Sequence, residues 1–168
     1  MDDGCNLTHA ALGAAAGLMG TFVLQGLMRT RLKYLPQTAP PIKADPGRFM
    51  VHQAERALPQ KVSDAIPEQA RQVASKATHL GYGASFGAAY GALRGQGGSP
   101  LLEGPLLGLA TWAAGYIGWL PATGLMPPPW KHSAAQATLP ILEHALFGVA
   151  TVAAYDTLHH FIHPHEER

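Results

Sequence analysis

An uncharged run covering residues 7–28 sets the strongest limit on what this chain can fold into. A helix of that length, rising about 1.5 Å per residue, reaches across the roughly 30 Å hydrocarbon core of a bilayer. The run ends at Arg29, Arg31 and Lys33, a basic boundary typical of the cytoplasmic end of a membrane span. Because the residues before the run lack the positive segment of a signal peptide, we expect the run to be retained as a span.

Three further apolar segments predict helices. Residues 78–93 carry no charge, but this segment is short for a span and would cross as the end of a longer, tilted helix. Residues 101–120 carry one charge, Glu103, and residues 139–162 form the last apolar block. The sequence therefore predicts an all-α fold, a polytopic transmembrane helix bundle of about four spans that forms a single membrane domain over residues 1–168.

A polar loop, residues 29–77, separates the first two predicted spans. Its prolines predict an extended start, and a short amphipathic helix is expected over residues 47–58. Most of the lysines and arginines of the chain lie in this loop. Cytoplasmic loops of membrane proteins are rich in these residues, so the pattern predicts a cytoplasmic loop and both termini on the outer side.

The composition excludes several classes of function. The formal net charge is +1, so there is no basic footprint and we expect no nucleic-acid partner. The single cysteine, Cys5, excludes an intramolecular disulfide and a cysteine metal cluster. The chain has neither a nucleophile elbow nor a phosphate-binding loop, and we predict that it is not an enzyme.

Glycines recur every three or four residues in three of the apolar segments. Such stripes let helices meet backbone to backbone in lipid. We interpret them as packing within the chain, with oligomerisation or a glycine-lined pore as the alternatives. The candidate packing residues are Gly13, Gly17, Gly83, Gly87, Gly91, Gly104, Gly108 and Gly115.

Ionisable side chains within the predicted spans are candidates for function because charges are costly in lipid. Four residues, Glu103, Glu143, His144 and Tyr155, form the candidate intramembrane polar site. His144 lies centrally in its segment and is either a buried hydrogen-bonding histidine or a proton or ligand site. Glu103 could equally cap the start of its helix.

A histidine-rich segment near the C-terminus is a candidate metal site. A carboxylate at position i with histidines at i+4 and i+7 could bind a transition metal or relay protons. The alternative is that these side chains lie in headgroups and water, and the cofactor, whether metal, haem or none, stays unknown. His9 is expected on the same side of the membrane. The candidate ligands are Asp156, His159, His160 and His163.

Four short motifs follow one another in the second half of the chain. A glycine and aromatic helix, a glycine-rich helix, a Gly-Leu-x-Pro-Pro break and a histidine-bearing helix follow one another. The motifs are Phe86–Tyr90, Gly104–Gly108, Leu120–Pro128 and Glu143–Gly148.

This order resembles the YagU-like family of small bacterial inner-membrane proteins, over residues 80–156. The resemblance implies a multi-pass protein of the bacterial inner membrane, and His144 and the Pro127-Pro128 break are the positions that match. No reaction is assigned to this family, so the resemblance implies no biochemical activity. The short basic first loop and the histidine-rich tail depart from its pattern, and the basic loop predicts an orientation opposite to the one expected for the family.

Three functions compete. The leading hypothesis is a non-enzymatic bundle that packs in the lipid bilayer with itself or another membrane protein and acts in membrane-protein assembly or envelope stress. The second is a transporter or channel for a small solute or protons that uses His144. The third is a metal-binding or haem-binding membrane subunit.

Overall fold

The computed structural model describes residues 3–94 and 99–162, and all regular structure within these ranges is helical. The all-α part of the prediction is confirmed. In chain order the helices are α1 (Asp3–Tyr34), α2 (Pro46–Glu55), α3 (Gln60–Asp64), α4 (Glu68–Leu93), α5 (Pro100–Ala113), α6 (Leu120–Ala122) and α7 (Ala134–Ile162).

The four long helices, α1, α4, α5 and α7, alternate in direction and pack in the spatial order α4, α1, α7, α5. This arrangement gives the molecule two ends. The loop end holds the end of α1, the starts of α4 and α7, and the short helices. The terminal end holds the start of α1, the end of α7, and the connection from α4 to α5.

Among the described residues, two helices are long and apolar enough to cross a membrane: Asn6–Tyr34 within α1, and α7. Their most apolar windows have mean hydropathies of 1.5 and 1.4, respectively. The other two predicted spans belong to α4 and α5, which do not meet this criterion.

The helix starts are set by local sequence signals. α4 begins at Glu68, directly after Pro67, so the apolar run 78–93 is the second half of a longer helix, as expected from the sequence. α7 begins at Ala134 rather than at residue 139, because Ser133 and Gln136 form a reciprocal capping box. The Gln136 N–H donates to Ser133 Oγ over 3.3 Å, and the Ser133 N–H donates to Gln136 Oε1 over 3.1 Å.

The third apolar segment is not one regular helix. α5 continues into a π-helical turn, Ala114–Trp119, with a kink at Gly118. Pro121 follows, and a proline has no N–H to donate to the carbonyl oxygen four residues earlier. The regular helix therefore stops before residue 120, and the chain turns into the cluster formed by Tyr116, Leu120, Leu125 and Met126.

The polar loop folds onto α4. Gly47 of α2 lies against the backbone of Ser75, so close that a methyl group at Gly47 would overlap the Ser75 carbonyl oxygen. Glu55 of α2 accepts a hydrogen bond from Arg71 over 2.7 Å. The short helix expected at residues 47–58 is present as α2 and is held at the loop end.

Candidate functional site

The α1 and α4 backbones touch through glycine. Gly13 lies against Gly87 and Gly91, and Gly17 lies against Gly83. A methyl group at Gly87 would overlap the Gly13 carbonyl oxygen and would lie 2.8 Å from the Gly17 Cα. These five predicted packing residues are therefore used within one chain.

A second glycine crossing joins α5 to α7. Gly104 packs against Val149, Gly108 against the His144 carbonyl, and Gly148 against the Gly104 carbonyl. Gly148 completes this crossing, although it was not among the predicted packing residues. Its position four residues after His144 was the available sequence signal.

Gly115 differs from the other predicted packing residues. A methyl group there would meet only the Tyr82 hydroxyl at 3.7 Å and Leu120 Cδ1 at 3.9 Å, which are ordinary contacts. Here α5 faces α4 across side chains, and the Tyr82 hydroxyl donates to the Thr111 carbonyl over 3.2 Å. No close backbone approach requires glycine at this position.

At the loop end, Glu143 forms a buried ion pair with Arg31. Arg31 Nε lies 2.6 Å from Glu143 Oε1, Nη2 lies 3.1 Å from Oε2, and the two side chains are 7% and 9% exposed. Arg31 Nη1 also donates to the carbonyl and the hydroxyl oxygens of Thr38, each over 2.8 Å. This bidentate pair fastens α1 to α7 and neutralises both charges.

His144 lies beside this ion pair in sequence and is buried among helices. Its Nδ1 is 2.7 Å from the Pro140 carbonyl oxygen. Because a carbonyl oxygen only accepts, Nδ1 carries the hydrogen and donates it. The Tyr116 ring packs edge-on against the imidazole at a centroid distance of 5.9 Å. These contacts favour the first of the two sequence interpretations, a buried hydrogen-bonding histidine.

At the terminal end, Arg94 is the centre of a network that joins α4, α5 and α7. Its guanidinium forms an ion pair with Asp156, lies 3.5 Å from Glu103 Oε2, and sits over the rings of Tyr90 and Tyr155. The Tyr90 hydroxyl donates to Glu103. The Arg94 side chain is 10% exposed, so this cation is held almost entirely by protein.

His9 connects α1 to the same end of the molecule. Its Nδ1 lies 2.6 Å from the Tyr155 hydroxyl, and its ring stacks on His159 at a centroid distance of 5.1 Å. His9 therefore lies beside the C-terminal histidine segment. All four long helices contribute side chains to this terminal-end network.

The four residues of the predicted intramembrane site fall into two places rather than one. Glu143 and His144 lie towards the loop end, whereas Glu103 and Tyr155 lie at the terminal end. The separation follows from the antiparallel packing of α5 and α7, which brings the start of α5 to the end of α7.

The predicted metal ligands do not form a cluster within the described ranges. Asp156 pairs with Arg94, His159 stacks on His9, and His160 packs edge-on against Phe161. His163 lies outside the described residues. Among residues 3–94 and 99–162, no group of three or more His, Cys, Asp or Glu side chains is placed to hold a metal ion.

Four contributors to the loop-end ion pair and the terminal-end network were not predicted: Arg31, Thr38, Tyr90 and Arg94. The sequence places Arg31 in a basic boundary with Arg29 and Lys33, where all three look alike. Arg94 had a signal, because it is an isolated cation at the end of an apolar helix. Its partners lie on other helices, and their positions depend on the packing order.

An open groove of about 840 Å³ runs beside α2 and α3. Arg48, Arg56, Asp45 and Glu55 line it together with uncharged residues, so it presents both signs of charge. This mixture does not select one class of ligand.

The searches against protein-family models, curated proteins and solved structures found no match to this chain.

Proposed function

We propose that this protein is a four-span integral membrane protein of the bacterial inner membrane. The observation that carries the proposal is the distribution of large apolar side chains, which lie on the outer surface of all four long helices. Examples are Phe22 on α1, Leu93 on α4, Leu106 on α5 and Leu146 on α7, which are 50–85% exposed. In water each would forfeit about 25 cal/mol per Å² of apolar area left unburied, whereas lipid removes that cost.

The interior has the opposite character. Thr21, Thr111 and Thr151 are buried together with the glycine crossings, and Arg31 and Glu143 are buried as a pair. Helices in lipid associate through small residues and polar contacts of this kind, because apolar side chains gain little by leaving lipid for protein. An apolar outside around a small and polar inside supports an embedded bundle.

The helix lengths fit four crossings. α4 has 26 residues, a length of about 39 Å, so its apolar half together with part of its polar half exceeds the roughly 30 Å core. α5 with the π-helical turn covers residues 100–119, with the kink at Gly118 near its end. The basic loop end is proposed to lie in the cytoplasm and the termini outside. The resemblance to the YagU-like family supports the compartment.

Within the membrane, the proposed role is that of a non-enzymatic helix bundle acting in membrane-protein assembly. The glycine stripes are occupied inside the chain and the described interior charges are paired, which favours a rigid packing unit over a permeation pathway. A second copy or another membrane protein would then bind the outer faces of the helices rather than the glycine crossings.

Cysteine labelling tests the number of spans. With Cys5 replaced by serine, single cysteines are introduced as Asn6→Cys, Lys61→Cys, Ser99→Cys and Lys131→Cys, and cells are treated with a membrane-impermeant maleimide. Four spans place positions 6 and 99 outside, labelled, and positions 61 and 131 inside, protected. Position 99 decides the matter, because a chain crossing only through α1 and α7 would leave it protected.

Reconstitution tests the role. Purification in a mild detergent should give the protein as an oligomer or bound to another membrane protein, and proteoliposomes should show no proton flux. If the monomer conducts protons, and His144→Ala abolishes the conduction, then the protein is a transporter or channel and the proposed role in assembly is wrong.

A further inference from the structure

The cations that end the first apolar run point in different directions. Arg31 is buried against Glu143, whereas Arg29 and Lys33 are exposed. No carboxylate within the described ranges lies within 4.0 Å of Arg29 or Lys33. Two of the three cations are therefore available to an external partner.

Arg29 and Lys33 continue an exposed apolar face of α1. At 100° per residue this face spans an arc of about 140°. Its exposed residues, in order along the helix, are Met19, Phe22, Val23, Gly26, Arg29, Thr30, Lys33 and Tyr34. The face changes from apolar to cationic within one turn, and Tyr34, 69% exposed beside Lys33, closes it with an aromatic ring.

The dimensions of this face match one lipid molecule. From Met19 to Arg29 the helix rises about 15 Å, half of the roughly 30 Å hydrocarbon core. Gly26, between the apolar and cationic parts, has no heavy atom within 4 Å of where a side chain would begin. This leaves room for the glycerol region of a lipid against the helix backbone.

We infer that this face of α1 binds an anionic phospholipid, with the phosphodiester at Arg29 and Lys33 and one acyl chain along Phe22 and Met19. Thr30, which follows Arg29 in sequence, is also exposed on this face, and its hydroxyl can donate to the same phosphate. Glu143, which pairs with Arg31 of the same helix end, is neutralised by that cation and does not repel the headgroup. The inference rests on the proposed membrane location.

Native mass spectrometry of the full-length protein tests this inference, using detergent solutions titrated with phosphatidylglycerol or with phosphatidylcholine. Arg29→Gln/Lys33→Gln should weaken binding of the first phosphatidylglycerol roughly fivefold per cation removed, and should leave phosphatidylcholine binding unchanged. Lys43→Gln/Lys61→Gln is the matched control, because it removes the same charge from the exposed surface of the polar loop and should bind as the wild type does.

Several outcomes would overturn the inference. The first is equal binding of the two lipids by the wild type, and the second is equal weakening by both double variants. The third is displacement of bound phosphatidylglycerol by glycerol phosphate at a similar concentration, because contacts of the acyl chains should make the lipid bind more tightly. Arg29 and Lys33 are exposed, so an unchanged melting temperature is expected and separates lost binding from lost folding. A protein that is soluble without detergent and binds neither lipid would instead contradict the membrane location itself.

Discussion

Asp45 shows how single residues hold the polar loop to the bundle. Its Oδ1 accepts from the Arg48 N–H at the start of α2 over 2.7 Å, and from the Ser75 hydroxyl of α4 over 2.8 Å. Burial raises the pKa of this carboxyl, but the two hydrogen bonds and the neighbouring His79 together bring the pKa below its ordinary value. The folded protein therefore favours the ionised carboxylate, which caps α2 and ties it to α4.

We expect Asp45→Asn to change how stability depends on pH. A lowered carboxyl pKa contributes stability that is present above the unfolded-state value, near 3.8, and is lost as the pH falls through the folded-state value. The variant should lack this acid-dependent loss. It should also be less stable at neutral pH, by no more than the roughly 0.5–2 kcal/mol of a lost helix cap, because asparagine still caps well. Melting temperatures in detergent from neutral to acid pH measure both effects, and parallel curves for the two proteins would contradict the role given to Asp45.

The burial and contact partners of single side chains were the features least predictable from the sequence. The basic boundary at residues 29–33 was identifiable, but the burial of Arg31 depends on the rotation of α1 and on Glu143 of another helix. Glu143 and His144 were recognised as interior polar residues, since charges within apolar runs stand out. Their partners were not foreseen, because Arg31 resembles the other cations of the basic boundary and Pro140 carries no pattern that marks it.

At the scale of the helices, the glycine crossings make the bundle sensitive to single methyl groups. Gly87 and Gly81 lie on the same helix, α4, but on different faces. A methyl group at Gly87 would overlap the α1 backbone, whereas none at Gly81 would meet a heavy atom within 4 Å. Substituting each glycine with alanine therefore separates the effect on helix packing from the effect of helix propensity.

We expect Gly87→Ala to destabilise the bundle by about 1–3 kcal/mol, the cost of overpacking a tight contact. Gly81→Ala should be neutral or stabilising, by up to about 1 kcal/mol, because alanine favours helix over glycine. Thermal unfolding in one detergent compares the two variants directly. If both shift stability alike, the close approach of α1 and α4 is absent.

Helices were easier to predict than their ends. Each apolar run corresponds to a helix because its length and lack of charge leave few alternatives. The start of α4 after Pro67 was expected, whereas the start of α7 was placed five residues late, at residue 139 rather than Ala134. The break in α5 was placed late as well, because Pro121 acts on the turn before it.

For the whole molecule, the packing order α4, α1, α7, α5 explains why one arginine contacts so many partners. The ends of α4 and α7 and the start of α5 converge at the terminal end, and Arg94 lies among them between Asp156 and Glu103. A hydrogen bond between the Tyr155 hydroxyl and His9 extends the network to α1. No sequence pattern specifies this order, because any of the apolar helices could have been neighbours.

Arg94→Met should loosen the terminal end more than the loop end. The substitution leaves Asp156 and Glu103 without their shared cation, but these side chains are 35% and 31% exposed, so the loss of stability should stay below the roughly 3–5 kcal/mol of a fully buried pair. Arg94→Lys should recover part of it, since lysine restores the charge but not the planar contacts with Tyr90 and Tyr155. Arg29→Met, which removes an exposed cation, is the control.

Hydrogen exchange measured by mass spectrometry locates the effect. Amides near residues 88–93 and 150–158 should exchange faster in Arg94→Met, while those around Arg31 and Glu143 keep their protection, because the loop-end ion pair is separate from the terminal-end network. Uniform acceleration along all four long helices would mean that the bundle unfolds as one unit. The separate ion pairs imply that the two ends are stabilised independently, and this result would contradict that.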